Sequence, residues 1–303
     1  MPHSPKHAVT TLATDRYQLD LLPSLGGSIG GLRWWHPDGR WINLLRPLQP
    51  GPATGPTVLD VSCFPLTPFA NRIRDGRFRF AGRDLQLAPG VFGPHPEHGH
   101  GWLQPWLLQP IDASSAELIL THAPDAWPFP YTIRQRFTLE PDGLTIDLEA
   151  RNDGNEPMPF GFGLHPYFPR TPSCMLRASV NGFWETDAAV LPTRHTAVPA
   201  TLDPRTGMPV SHITLDNAFT GWDGIAHITW PELGTRLAIV AEEPLRVLFV
   251  YVPQGETYFC AEPASNVTDA FNLAEAGRTD TGMMALAPGE MIEASVTFEA
   301  SVI

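Results

Sequence analysis

An all-β fold is what this sequence predicts, and three observations carry the prediction. Apolar and polar residues alternate with a period of two along several stretches, turns rich in Gly and Pro separate those stretches, and no segment sustains the 3.6-residue apolar period of a long amphipathic helix. The 33 prolines interrupt any helical pattern, and in a sheet protein they belong at edges, bulges and the loops between strands.

The alternation is plainest over 131–150. Tyr131, Ile133, Phe137 and Leu139 share one face while Thr132, Arg134, Arg136 and Thr138 share the other, the mark of a half-buried strand. Pro141-Asp142-Gly143 supplies a turn, after which Leu144, Ile146, Leu148 and Ala150 alternate with Thr145, Asp147, Glu149 and Arg151, so the two strands form a hairpin. The period returns where Ile292, Ala294, Val296, Phe298 and Ala300 alternate with Glu293, Ser295, Thr297, Glu299 and Ser301, a strand expected to close the sheet. Further strands are expected at 16–22, 57–63, 116–122, 176–184, 226–230, 235–241 and 246–252. Leu248-Phe249-Val250-Tyr251 reads as buried, and beyond a Gly255 turn Tyr258-Phe259-Cys260-Ala261 reads as another strand that delivers Glu262-Pro263 at its end.

The chain of 303 residues is 43% hydrophobic and 17% charged, enough to bury a substantial core and well outside the regime of disorder. Residues 1–303 read as one domain, since large β-folds commonly remain single units. A formal charge of -12 repels polyphosphate and anionic lipid, so nucleic acid is not an expected partner. Cys63, Cys174 and Cys260 show no CxxC spacing and are expected as buried free thiols. Residues 1–7 carry no apolar leader region, and no apolar run nears the roughly 20 residues that span a bilayer. A cytoplasmic monomer or homodimer without a membrane partner is expected. Asn266-Val267-Thr268 fits a glycosylation sequon, which carries little weight without a secretory signal.

Chemistry-bearing residues gather at four places. Phe69-Ala70-Asn71-Arg72-Ile73 precedes the alternating Arg77-Phe78-Arg79-Phe80 and a Gly82 turn; a guanidinium offers a planar fork of donors, although Arg72 and Arg74 taken alone read as strand-surface charges. His95-Pro96-Glu97-His98-Gly99-His100-Gly101-Trp102, ending in Trp106, sets three imidazoles beside indoles. Imidazole suits hydroxyl binding and proton transfer near neutral pH, and Trp102 offers a flat apolar face on which a sugar ring can stack. The competing reading there is a metal centre of His95, His98, His100 and Glu97, with His98 and His100 on one face of a strand; at least one of His95 and His100 is expected to be purely structural. Third, Phe160-Gly161-Phe162-Gly163-Leu164-His165-Pro166-Tyr167-Phe168 places His165 before a proline, which bars it from a helix; alone, it reads as a satisfied core histidine. Fourth, Glu262 at the mouth of an apolar strand is either a general base raised by burial or a carboxylate paired with Arg72 or Arg246.

Asn71-Arg72, His98-Gly99, His165-Pro166-Tyr167-Phe168, Asp216-Asn217-Ala218-Phe219 and Glu262-Pro263 with Asp269-Ala270-Phe271-Asn272 stand in the order of the aldose 1-epimerases, and over about two thirds of its length the chain resembles that family. The resemblance implies a galactose mutarotase-like super-sandwich of large twisted antiparallel sheets with a sugar in an open cleft. It implies that Glu262 takes the proton of the anomeric hydroxyl, that His165 protonates the ring oxygen, and that Arg72, His98 and Asp216 bind sugar hydroxyls. Asn71, beside Arg72, and Trp102, by its flat face, are the further candidate binding residues. Neither metal nor organic cofactor is implied.

The chain departs from the better-known galactose enzymes, which have a longer segment after the first histidine motif and a different pair after the aspartate. Its compact His98–Trp106 segment resembles a divergent bacterial branch, some of whose members handle hexose 6-phosphates. Arg72, Arg74, Arg77 and Arg79 are the groups that would hold a phosphate, with alternation turning Arg74 away from its odd-numbered neighbours. A non-catalytic sugar sensor of the same fold is the rival from another class, and glycoside hydrolysis would need a second carboxylate beside Glu262.

Overall fold

A computed structural model of the chain describes residues 7–52 and 55–303, so the stretch 1–6 that bears on a leader region lies outside the described residues. Two large antiparallel sheets dominate it. The first has eleven strands. From one edge its order is Thr10–Ala13, Tyr17–Leu22, Ser28–His36, Cys63–Leu66, Gly163–Pro169, Tyr258–Ala264, Val247–Val252, Leu215–Thr220, Gly182–Thr186 and Pro192–Ala197, with Arg40–Asn43 paired to Ser28–His36. The second has nine, in the order Met208–Pro209, Met175–Ala178, Ile225–Trp230, Thr235–Ala241, Met291–Val302, Gly143–Asn152, Tyr131–Leu139, Ser115–His122 and Leu107–Pro110.

The hairpin follows the alternation closely. Tyr131 pairs with Asn152 and Leu139 with Leu144, which puts Tyr131, Ile133, Phe137, Ile146 and Leu148 on the buried face. The polar member of that face, Gln135, is satisfied by donating to the carbonyl of Gly27, in the turn that leads into Ser28–His36 of the other sheet, at 3.0 Å. Met291–Val302 is an interior strand, paired on one side with Gly143–Asn152 and on the other with Thr235–Ala241. Between the sheets, Phe168 meets Phe298 at 6.4 Å and the Trp230 indole N–H reaches the Pro169 carbonyl, so one contiguous apolar core fills the space between them.

Several expectations are corrected. Residues 57–63 are not a strand: Thr57 caps a 3-10 turn at Val58–Asp60, its hydroxyl accepting from Leu59 N–H, and extended pairing begins at Cys63. The apolar run 176–184 is two strands in different sheets, Met175–Ala178 and Gly182–Thr186; its apolar period is continuous because both are buried, not because they are one element. Arg72 and Arg74 lie on a loop and a 3-10 turn rather than on a strand. Glu262 sits within Tyr258–Ala264, not at its end. Among the described residues the α-helix is confined to Ala270–Glu275. The three cysteines are free and buried, as expected.

Candidate active site

The strand Gly163–Pro169 is central to the first sheet and buried on both faces, Leu164 and Phe168 toward the core and His165 and Tyr167 toward a cleft. Its register with Tyr258–Ala264, Gly163 opposite Ala264 and Tyr167 opposite Cys260, brings His165 opposite Glu262. On its other side His165 faces Phe64. Side chains two apart share a face of the sheet, so a second row lies beside the first: Tyr167 opposite Cys260, Cys260 opposite Tyr251, Tyr251 opposite Asp216. Two rows of cross-strand neighbours therefore form the floor of a cleft of about 320 Å³.

Loops supply the walls. Residues 67–73 and 95–101 are zipped together by bridges between Thr67 and Gly99 and between Arg72 and Glu97. Asn266 fixes the first loop, its side-chain oxygen accepting from Ala70 N–H at 3.0 Å and its amide donating to Ala70 O at 3.1 Å, which fully occupies the asparagine of the sequon in the core. Gly99 has φ +68, and an added Cβ would lie 2.0 Å from the Thr67 carbonyl oxygen, so only glycine permits this approach. The turn presents Asn71 and Arg72 on one side and His98 on the other. His98 Nδ1 accepts from the Asn71 backbone N–H at 3.3 Å, which leaves its ring proton on Nε2 as a donor.

Within the cleft, His165 Nε2 lies 3.3 Å from Glu262 Oε1, and both side chains are less than a tenth exposed. The His165 ring stacks against Phe64 at 4.5 Å and Tyr167 at 4.8 Å, which are themselves 6.1 Å apart, and the His98 ring meets it edge-on at 5.2 Å. The cluster extends further: Trp102 stacks on Phe64 at 4.9 Å, and the Arg46 guanidinium lies 3.9 Å over Tyr167 and 4.5 Å from Tyr258. Arg72 Nη1 lies 3.9 Å from Asp216 Oδ2.

These surroundings set the charges. Burial, then the nearby Asp216 carboxylate, pushes Glu262 well above the usual carboxylate range, against a smaller pull from Arg72. Burial, helped by Arg46 behind Tyr167, brings His165 down to about 3. His98 is held well below its ordinary value by burial and by His165 and Arg72. Asp216 is a third accessible, yet protein on all sides but the cleft pushes it up to about 6, with Arg72 opposing. The Glu262–His165 pair thus favours neutral imidazole beside protonated carboxyl, a pair holding one mobile proton.

The cleft brings together all the residues named from sequence for catalysis and binding: Glu262, His165, Arg72, His98, Asp216, Asn71 and Trp102. Trp102 is only 1% exposed and sits behind Phe64, its indole N–H donating to the Glu97 and Gly99 carbonyls. The proposed His95, His98, His100 and Glu97 metal centre does not form. His98 sits at φ 62, which breaks the strand geometry that centre requires; His95 Nδ1 accepts from Asp75 N–H, and His100 turns away to Tyr131 Oη at 3.0 Å and the ring of His122. Arg246 pairs with Glu243 rather than Glu262. Sequence reasoning missed Phe64, Tyr251, Tyr258 and the exposed rim residue Phe92 as cleft residues, and Arg46 behind Tyr167; the one legible signal was an arginine set in the apolar run Leu44-Leu45-Arg46-Pro47.

A titratable pair on adjacent strands at the floor of a polar, aromatic-walled cleft is thus set in an all-β molecule of two large antiparallel sheets. The chain belongs to the aldose 1-epimerase family, whose sequence model matches residues 11–299. It is 35% identical over 262 residues to the uncharacterised protein YphB of Escherichia coli K12, covering 84% of this chain and 88% of that one. Among solved structures, a protein of Escherichia coli K12 provisionally named an aldose 1-epimerase superposes with a TM-score of 0.86 at 31% identity, covering 98% of this chain and 99% of the other. A galactose mutarotase-like protein of Clostridium acetobutylicum gives 0.85 at 19% identity, covering 98% and 96%, a likeness of fold. The super-sandwich expectation stands.

Proposed function

We propose that the protein is an aldose 1-epimerase that interconverts the α and β anomers of an unphosphorylated aldose by general acid–base catalysis. The observation that carries the reading is the 3.3 Å approach of His165 Nε2 to Glu262 Oε1 on the cleft floor. In the reactive form the shared proton is on His165 and Glu262 is ionised. Glu262 then takes the proton of the anomeric hydroxyl as His165 gives its own to the ring oxygen, and the bond between the anomeric carbon and the ring oxygen breaks. The pair ends as neutral imidazole and carboxylic acid, the form that burial favours, so desolvation drives ring opening. Rotation about the bond from the carbonyl carbon to its neighbour, followed by the reverse transfers, closes the other anomer. Arg72, His98 Nε2–H and Asp216 supply donors and an acceptor for ring hydroxyls.

The charge of the cleft supports an unphosphorylated ligand. Arg77 and Arg79 lie on the hairpin Arg77–Phe80 with Arg83–Gln86, engaged with Gln86 and Asp84, and Arg74 leans on Asp269 at 3.8 Å. Of the four arginines offered for a phosphate, Arg72 alone lines the cleft, and it faces Asp216. The sensor reading is disfavoured by the paired acid and base, which binding alone does not need. The test is polarimetry or NMR of freshly dissolved α-glucose, α-galactose and glucose 6-phosphate with purified protein at low buffer concentration. Acceleration for a free aldose supports the reading; saturable sugar binding without acceleration refutes it in favour of a sensor.

A further inference from the structure

Beneath the catalytic pair lies a third group that the proton transfers leave unused. Cys260 is on the same strand as Glu262, two residues away and on the same face, between Tyr167 and Tyr251 in the second row. His165, Cys260 and Glu262 are all buried, and their ligating atoms lie within 4.8 Å of one another, the one such group of three among the described residues. We propose that this floor is a binding site for a thiophilic divalent cation of the zinc kind, coordinated by His165 Nε2, Cys260 Sγ and a Glu262 oxygen, and that its occupation shuts the acid–base pair.

Geometry, ligand chemistry and charge all favour it. Ligand atoms around a tetrahedral zinc with bonds of about 2.0–2.1 Å are separated by about 3.3 Å, and His165 Nε2 and Glu262 Oε1 already stand at 3.3 Å. The Cys260 sulfur already lies within 4.8 Å of both. Thiolate with imidazole selects zinc or cadmium over magnesium and calcium, whose ligands are oxygens. The fourth position opens into the cleft, where a water or sugar hydroxyl would sit. His98, with its proton on Nε2 and its lone pair occupied by Asn71 N–H, offers no ligand. The cleft is lined by three carboxyl side chains, the buried Glu262 and Glu97 and the half-buried Asp216, against the single guanidinium of Arg72, with Arg46 screened behind Tyr167. A cation on the floor would answer that imbalance.

Protons balance simply. Binding releases the Cys260 thiol proton, and that of Glu262 where it is protonated, to solvent; His165 binds through the Nε2 lone pair with its proton on Nδ1. No electron transfer is involved. Affinity should therefore rise with pH.

Binding stands on the geometry alone, whereas inhibition rests on the epimerase reading, so the two are read separately. Wild type, Cys260→Ser, Cys260→Ala and the control Cys63→Ala are titrated with Co²⁺ and followed by the near-ultraviolet thiolate-to-cobalt charge-transfer band. One Co²⁺ per chain with such a band in wild type and Cys63→Ala, displaced by Zn²⁺ and lost in both Cys260 variants, is the expected result. In the anomerisation assay the Cys260 variants keep their activity and need at least tenfold more Zn²⁺ for half inhibition. No band at saturating Co²⁺, a band that survives in Cys260→Ala, or equal zinc sensitivity of wild type and Cys260→Ser overturns the proposal. A protein that binds cobalt through Cys260 but accelerates no aldose keeps the metal site and refutes the epimerase reading.

Discussion

His165 and Glu262 stand opposite one another on adjacent strands, 3.3 Å apart, and burial drives both toward their uncharged forms. The two therefore behave as one unit with one proton. Glu262→Gln and His165→Gln are each expected to lower kcat for anomerisation by about 10²–10⁴-fold. Because the pair acts together, the double variant should fall no further than the worse single one. Polarimetric initial rates decide this, and losses that multiply in the double variant would contradict a shared proton.

Asp216 is the second-largest cause of the upward shift at Glu262. Asp216→Asn removes a like charge, so the pair gives up its single proton more readily. The alkaline limb of the kcat/KM profile should move to lower pH, whatever happens to the height of the profile through lost sugar contacts. A limb that stays in place would separate Asp216 from the proton chemistry.

Stability should carry the same signature. The folded-state value of Glu262 is raised, so its carboxyl contributes stability that is fully present below the ordinary value of 4.5 and lost as pH rises through the folded value. Glu262→Gln, neutral at every pH, should therefore gain in Tm relative to wild type as the buffer is taken from acid to alkaline. Parallel Tm-versus-pH curves would rule out ionisation of Glu262 in its buried place.

The His98 turn rests on Gly99. Gly99→Ala forces an L-residue to φ +68 and sets a Cβ against the Thr67 carbonyl, whereas Gly289 has φ +74 with nothing within 4 Å of its would-be Cβ. The second substitution should cost about 1–2 kcal/mol from backbone conformation alone, and the first more, with loss of sugar affinity as His98 and Asn71 shift. Urea unfolding of both variants measures the difference. Equal losses would mean that the turn relaxes freely.

Where burial is one-sided, the sequence was plain to read. Tyr131–Leu139, Gly143–Asn152 and Met291–Val302 each bury one face, and the period of two survives in their residues. The reading failed where both faces are covered, because a strand buried twice has no alternation to show. That is why Glu262 looked terminal when it lies within Tyr258–Ala264. The stretch 176–184 looked like one strand for a different reason: alternate residues stay buried through the connection from Met175–Ala178 to Gly182–Thr186, so the period of two runs on across a change of sheet. Six of the seven site residues were legible through the motifs of the family, while Trp102 was read from the local run of imidazoles and indoles. Arg46, Phe64 and Cys260 reach the site by register between strands distant in sequence, and nothing in the residues flanking them records which strand will lie alongside.

The placement of Met291–Val302 governs how the molecule is made. This strand lines no part of the cleft, yet it lies between Thr235–Ala241 and Gly143–Asn152 and joins the two halves of the nine-stranded sheet. A nascent chain already holding His165 and Glu262 still exposes two unpaired strand edges at the gap until residues 291–302 have left the ribosome. Such edges are templates for pairing with other chains. The interval between synthesis of Glu262 and closure of that gap is thus one in which both edges stand open to other chains, and a ribosome stalled there should yield aggregate.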